Sequence, residues 1–141
     1  MDDCSEELQA WLLEALPQDA GVIAAFAPSA VRVFDAPPVG AKGDYIILGP
    51  VQVIPVDGSD AGNAEATIDI WSLTEPPGTA KAKRIGRAVM AFCLTLTDLP
   101  SHEVKDVLPS EFGSQYVIDQ DARTAHGVLK VEFVTQPKPQ P

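Results

Sequence analysis

Thirteen prolines and ten glycines cut this chain into short pieces. Proline removes a backbone donor and glycine loosens φ, so strands and turns around a few helices are expected rather than a helical bundle. Between the breaks, the spacing of apolar residues assigns each piece. From Asp3 to Leu16 the residues Leu8, Trp11, Leu12, Ala15 and Leu16 recur at three and four, the helical period. Asp3 or Ser5 is a candidate N-cap, Glu6 and Glu7 suit the positive end of the helix dipole, and Pro17 ends the helix. A second short helix is expected from Asp19 to about Phe26, where Pro28 stops it.

Ala30 to Phe34 alternates and is β-branched, a short strand closed by Asp35-Ala36-Pro37-Pro38. Tyr45 to Gly49 continues through Val51 to Ile54, with Pro50 demanding a bulge, a bend or an edge position. Glu65 to Ser72 is the clearest strand, with Ala66, Ile68 and Ile70 on one face and Thr67, Asp69 and Trp71 on the other. Thr79 can cap a long amphipathic helix running to about Thr97, whose stripe is Ala82, Ile85, Ala88, Val89, Phe92, Cys93 and Leu96. Val104 to Leu108 is a weak strand or irregular. Gln115–Asp119 and Gly127–Val134 form the arms of a hairpin joined by Gln120 to His126. The expected class is α+β: a mainly antiparallel sheet with helices packed on one face. A single domain is expected over residues 1–135, followed by a flexible proline-rich tail, 136–141.

At 141 residues with 45% hydrophobic and 21% charged residues, burial can offset chain entropy. The net charge of −10 repels phosphate backbones, which makes nucleic acid a poor tight partner but an acidic wall a good one for DNA to slide past. Met1-Asp2-Asp3-Cys4 lacks a basic n-region and no long apolar run follows, so synthesis in the cytosol without membrane insertion is expected. Cys4 and Cys93 have neither metal-knuckle nor disulfide-framework spacing and are read as plain thiols, Cys93 in the core.

No catalytic, cofactor-binding or metal-binding residue is assigned. His102, in a polar loop, and His126, at the start of the last strand, lack partners at diagnostic spacing, and no G-x-S-x-G elbow is present. Asp57, Asp60 and Glu65 do not match an EF-hand, and no phosphate-binding glycine pattern occurs. Asp57-Gly58-Ser59-Asp60-Ala61-Gly62-Asn63 is rich in turn formers and is expected to be an exposed, mobile loop. Lys81, Lys83, Arg84 and Arg87 concentrate positive charge early in the long helix, where it opposes the dipole. They are either a solvated face or an interface to an acidic patch of a neighbouring subunit, and Trp71 on a polar strand face hints that this side also meets something.

Taken in order, Arg32-Val33-Phe34-Asp35-Ala36-Pro37-Pro38, Asp44-Tyr45-Ile46-Ile47-Leu48-Gly49, Ile68-Asp69-Ile70-Trp71-Ser72, the helix from Ala80 to Val89, and Asp121 to Val131 resemble the phage tail-completion or tail-terminator family, found also in gene transfer agents. The resemblance spans about Ser5 to Thr135. Gly43-Asp44 departs from it where a proline often precedes the tyrosine, and Thr97 to Phe112 is longer and less regular than the family pattern.

The resemblance implies a structural virion protein made in a host bacterial cytoplasm. It would form a ring with itself, usually a hexamer, at the head-proximal end of the tail tube, stopping tube polymerisation and docking the head–tail connector while DNA passes through the lumen. Lys81, Lys83, Arg84, Arg87 and Trp71 are the expected subunit interface. Asp57, Gly58, Ser59, Asp60, Gly62 and Asn63 are the expected contact to tube or connector. Another connector or minor tail subunit, or a small ligand-binding domain or hydrolase, remains the alternative.

Overall fold

The computed structural model describes residues 4–36, 38–55, 62–73, 78–109, 114–119 and 123–139. Three helices, α1 (Ser5–Ala15), α2 (Ala20–Phe26) and α3 (Ala80–Cys93), accompany six strands: β1 (Val33–Phe34), β2 (Tyr45–Pro55), β3 (Gly62–Leu73), β4 (His102–Pro109), β5 (Gln115–Ile118) and β6 (Thr124–Pro137). The sheet order is β1-β2-β3-β6-β4, with β5 also on β6. All pairings are antiparallel except β1 with β2. The α+β expectation holds, and β1 is the one departure from antiparallel order.

The sheet is built on β3 and β6, which pair from Gly62↔Thr135 to Leu73↔Thr124 without a register shift. On their inner face Ala64 opposes Phe133, Ala66 opposes Val131 and Ile70 opposes Gly127, small against larger, while Ile68 opposes Leu129. These side chains are buried with Ile46 and Leu48 of β2. Burying a side chain of Leu, Ile or Phe size contributes about 1.5–3 kcal/mol.

The helices close that face. Leu8 and Leu12 from α1, Leu16 just after it, Val22 and Phe26 from α2, and Ala82, Ile85, Val89 and Phe92 from α3 complete one core. Trp11 stacks on Phe92 with ring centroids 4.5 Å apart, joining α1 to α3. Asp19 caps α2 by accepting the Val22 N–H at 3.0 Å. Burial pushes the Cys93 thiol up to about 12, leaving it a neutral core residue.

Several boundaries differ from expectation for local reasons. Cys4, not Asp3 or Ser5, occupies the α1 N-cap, and Thr79 occupies that of α3; neither makes a side-chain cap bond. A 3-10 turn, Leu16–Gln18, extends the first helix past Pro17. Helix α3 ends at Cys93 rather than Thr97, because the Thr95 N–H and hydroxyl both bond to the Phe92 carbonyl and tighten the last turn. Pro50 marks the register shift between Leu48 and Val51, and beyond Ile47 strand β2 has no β1 partner, so both a bulge and an edge position apply.

Strand β4 forms over eight residues with a register shift between Val104 and Asp106, and it shares one edge of β6 with β5, end to end. β6 also starts earlier and ends later than expected. Gln136 and Pro137, assigned to the unpacked tail, pair with Glu103 and His102, and the Lys138 N–H bonds to the Ser101 carbonyl at 2.9 Å.

Candidate functional site

The face of the sheet away from the helices is unlike the core side. β3 alternates without interruption, so the residues between its buried ones, Asn63, Glu65, Thr67, Asp69 and Trp71, point to this open face, as does Leu73 at its end. Registration then aligns an aromatic row across four strands. Phe34 lies 6.1 Å from Tyr45, Tyr45 lies 6.3 Å from Trp71, and Trp71 stacks on His126 at 3.9 Å with ring planes 7° apart. Tyr45↔Trp71 and Trp71↔His126 are direct cross-strand partners, and such aromatic pairs contribute roughly 0.2–1 kcal/mol each. The exposed Leu73 and Val117 flank the row. His126 Nε2 lies 3.0 Å from Asp69 Oδ1, and since a carboxylate only accepts, that nitrogen carries the hydrogen. The Trp71 indole N–H is buried without a hydrogen-bond partner among the described residues.

The basic residues of α3 lie on the other side of the molecule and divide into two kinds. Lys81 donates to Asp44 Oδ2 at 2.5 Å. Asp44, 5% exposed, also accepts from Ser29 Oγ at 2.7 Å and from the Leu73 N–H at 2.9 Å. Burial is the largest influence on this carboxyl and raises its pKa, but the Lys81, Ser29 and Leu73 bonds with the Lys81 charge together outweigh it and hold the pKa below the usual value. Arg32 reinforces the same corner: its guanidinium donates to the carbonyls of Lys42 and Asp44 and lies 5.6 Å over the Tyr45 ring. Arg84 Nε donates to the Ala25 carbonyl at 3.2 Å, stitching α3 to α2. Lys83 and Arg87 are exposed and make no hydrogen bond or ion pair among the described residues.

Lys81, Lys83, Arg84, Arg87 and Trp71, expected as one interface, are therefore not one patch. Lys81 is partly buried against Asp44, Lys83, Arg84 and Arg87 are exposed, with Arg84 also bonded to the Ala25 carbonyl, and Trp71 belongs to the opposite face. In the expected contact loop, Asp57, Gly58, Ser59 and Asp60 lie outside the described residues. Gly62 and Asn63 are not loop: they begin β3, paired with Pro55 and Ile54.

Neither histidine is a plain surface residue. His102 is buried, with Nδ1 2.8 Å from Ser101 Oγ, while Ser101 Oγ lies 2.6 Å from Glu7 Oε1. A hydroxyl has one hydrogen, and the carboxylate can only accept it. The imidazole Nδ1 must then donate to Ser101, so His102 is not placed to act as the base of a serine nucleophile, and the three side chains fasten α1 to β4. No group of three or more potential metal ligands occurs among the described residues.

Two features escaped sequence reasoning. The first is Asp44, because nothing local marks its contacts with Ser29, Leu73 and Lys81. The second is a slot for Tyr116. A Cβ added to Gly86 would lie 1.9 Å from its hydroxyl, and one added to Gly127 would lie 2.7 Å from its ring. Glycines in the middle of a helix and a strand were the available signal, since each costs stability unless something packs there. Burial chiefly raises the Tyr116 pKa, with opposing effects from Ser114 and Arg87.

Comparison with known proteins agrees with this architecture. One solved chain, from a structure titled "Virion of native gene transfer agent (GTA) particle", superposes with a TM-score of 0.76 at 20% identity, covering 98% of this chain and 100% of that one. A second superposes at 0.60 with 13% identity, covering 96% and 97%. These likenesses are of fold. No curated protein sequence matches. The family described as "Tail completion protein gp17" matches residues 10–136, nearly the whole of the sheet and all but the first turn of the helical layer. On that match the chain belongs to the tail completion protein gp17 family, a family of structural tail proteins.

Proposed function

We propose that this tail completion protein acts in the virion or phage-like particle as a ring, six copies in the family's usual number, at the head-proximal end of the tail tube. There it ends tube polymerisation and joins the tail to the head connector. The family match over residues 10–136 carries the reading. Its fold is shared with a chain of a native gene transfer agent virion particle, a setting in which such a ring has a place. The role is structural, and the Glu7–Ser101–His102 cluster, spent on fastening α1 to β4, supports that.

A closed ring requires a heterologous contact between two different patches of each subunit. The aromatic open face of the sheet and the outward basic stripe of α3 are two such patches on opposite sides. The segment joining β2 to β3, with Asp57, Gly58, Ser59 and Asp60, is the proposed contact to tube or connector. A net charge of −10 suits a lumen through which DNA passes without sticking.

Electron microscopy of particles assembled without this chain tests the reading. Tubes of uncontrolled length beside unjoined heads are expected. Tubes of normal length beside unjoined heads would move the chain to the connector, and normal joined particles would remove it from tail completion altogether.

A further inference from the structure

We infer that β5 is a flap, a strand that leaves and rejoins the edge of β6 while the rest of the sheet stays folded, with the Tyr116 side chain as its latch. β4 and β5 lie on the same edge of β6, yet they are held differently. β4 buries His102, Val104 and Val107. Its start is tied to α1 through Ser101 and Glu7, and to the residues after β6 through the Lys138 N–H on the Ser101 carbonyl. β5 has four residues, and Gln115, Val117 and Ile118 are exposed. Tyr116 is the residue that packs β5 against the core.

The latch fits from the edge inward. Tyr116 stands opposite Gly127, on the face that carries Ile70 and packs against the helices. Its ring lies over Gly127 and its hydroxyl reaches α3 at Gly86, so one side chain spans from sheet edge to helix. Ile70 forms a third wall, 3.4 Å from where a Cβ on Gly86 would stand and 3.6 Å from one on Gly127. Ser114 and Arg87 stand at the hydroxyl end. Glycine inside a helix and inside a strand weakens both elements. A larger residue at either position would fill the same space for good. The fold instead keeps a slot and fills it from a short strand that, among the described strands, pairs with β6 alone.

Opening therefore requires one ring to leave its slot and one short ladder to part. The twelve pairs between β3 and β6 lie on the other edge of β6 and are not disturbed. Opening bares the β6 edge from Ala125 to Val128, the slot between Gly86 and Gly127, and the side chain of Ile70. An unpaired strand edge is a template for pairing with other chains, and the flap keeps this one covered except while it is open.

Hydrogen exchange of the full chain, read residue by residue by nuclear magnetic resonance, tests the flap. The Asp119 N–H bonds to the Thr124 carbonyl at 2.8 Å, so by strand alternation the Val117 N–H also points to β6 and reports on this ladder. The Val117 amide is expected to be protected, yet to exchange about 100-fold or more faster than the amides of the β3–β6 ladder.

Tyr116→Ala should speed Val117 exchange by about a further tenfold or more, with the β3–β6 amides and the far-UV circular dichroism unchanged. Gly86→Ala, which fills the slot from the helix side, should act on Val117 in the same direction. Phe133→Ala, which weakens the core, should speed the β3–β6 amides and leave Val117 as it was. Exchange of Val117 at the rate of the β3–β6 amides in the parent chain would make β5 part of one cooperative unit and overturn the flap. An unprotected Val117 amide, or one that neither slot variant alters, would overturn it equally, because Tyr116 would then latch nothing.

Discussion

The two faces of the sheet are made by the same strands and solve different problems. On the helix side, Ile46, Ile68, Ile70, Val131 and Phe133 are fully buried, and small residues face large ones at Ala64↔Phe133 and Ile70↔Gly127. On the open side, Phe34, Tyr45, Trp71 and His126 are half-buried and held mostly by one another, with a charge pair at Asp69. One face is specified by exclusion of water and the other by in-plane contacts between neighbours. Losses should therefore be large and indifferent to assembly on the first face, and small but assembly-specific on the second.

The sharpest way to break that contrast is Phe133→Ala. Truncating a fully buried aromatic costs about 3–5 kcal/mol, so a large fall in the denaturant midpoint is expected. A loss similar to that of an exposed residue would mean that the inner face is not tightly packed. Next comes Asp44→Ala, which unlocks the corner where the segment before β1, the end of β3 and α3 meet. Removing one partner of a buried pair costs about 3–5 kcal/mol, and the low end applies because Lys81 keeps some contact with water.

The pH dependence of that corner has a definite sign. The folded-state pKa of Asp44 is lowered, so its stabilisation is complete above the ordinary carboxylate value of 3.8 and fades as pH falls through the lower folded value. Asp44→Asn should lack that component of acid-side loss, seen as a shallower fall of thermal midpoint below pH 4 than in the parent chain.

Gly86→Ala asks whether the Tyr116 slot belongs to the packed face. Overpacking costs about 1–3 kcal/mol, and adding Tyr116→Phe should restore part of it by removing the hydroxyl that the new methyl meets. If the double variant is no more stable than Gly86→Ala alone, the hydroxyl is not the obstacle. Trp71→Ala gives the smallest expected effect on the isolated chain, about 2 kcal/mol or less from its two cross-strand contacts, measured by denaturant titration. Its effect on assembly should exceed its effect on folding, which is the mark of the open face.

Much of this contrast was legible in the sequence because it is written with period two. The strand Glu65–Ser72 announced both faces, Pro50 announced the bulge, and Asp19 announced the start of α2. What stayed hidden depends on residues far apart in the chain. Two-residue β1 is parallel to β2 because Arg32 and Asp44 hold the two segments side by side, a contact no local pattern encodes. The helical stripe continues through Leu96, which remains buried, so apolar spacing alone could not reveal that α3 ends at Cys93. In the basic cluster, sequence could find the charges but not divide them, since the partners of Lys81 and Arg84 come from the residue before β2 and from α2.

The uninterrupted register of β3 with β6 has a mechanical consequence. Twelve successive partners, from Gly62↔Thr135 to Leu73↔Thr124, make a strut about 36 Å long. Pulled apart along its own axis, an antiparallel pair loads all its hydrogen bonds in shear at once instead of opening them singly from one end. A push on the Gly62 end of β3 is felt at the aromatic row as displacement of a stiff rod, without any hinge between them.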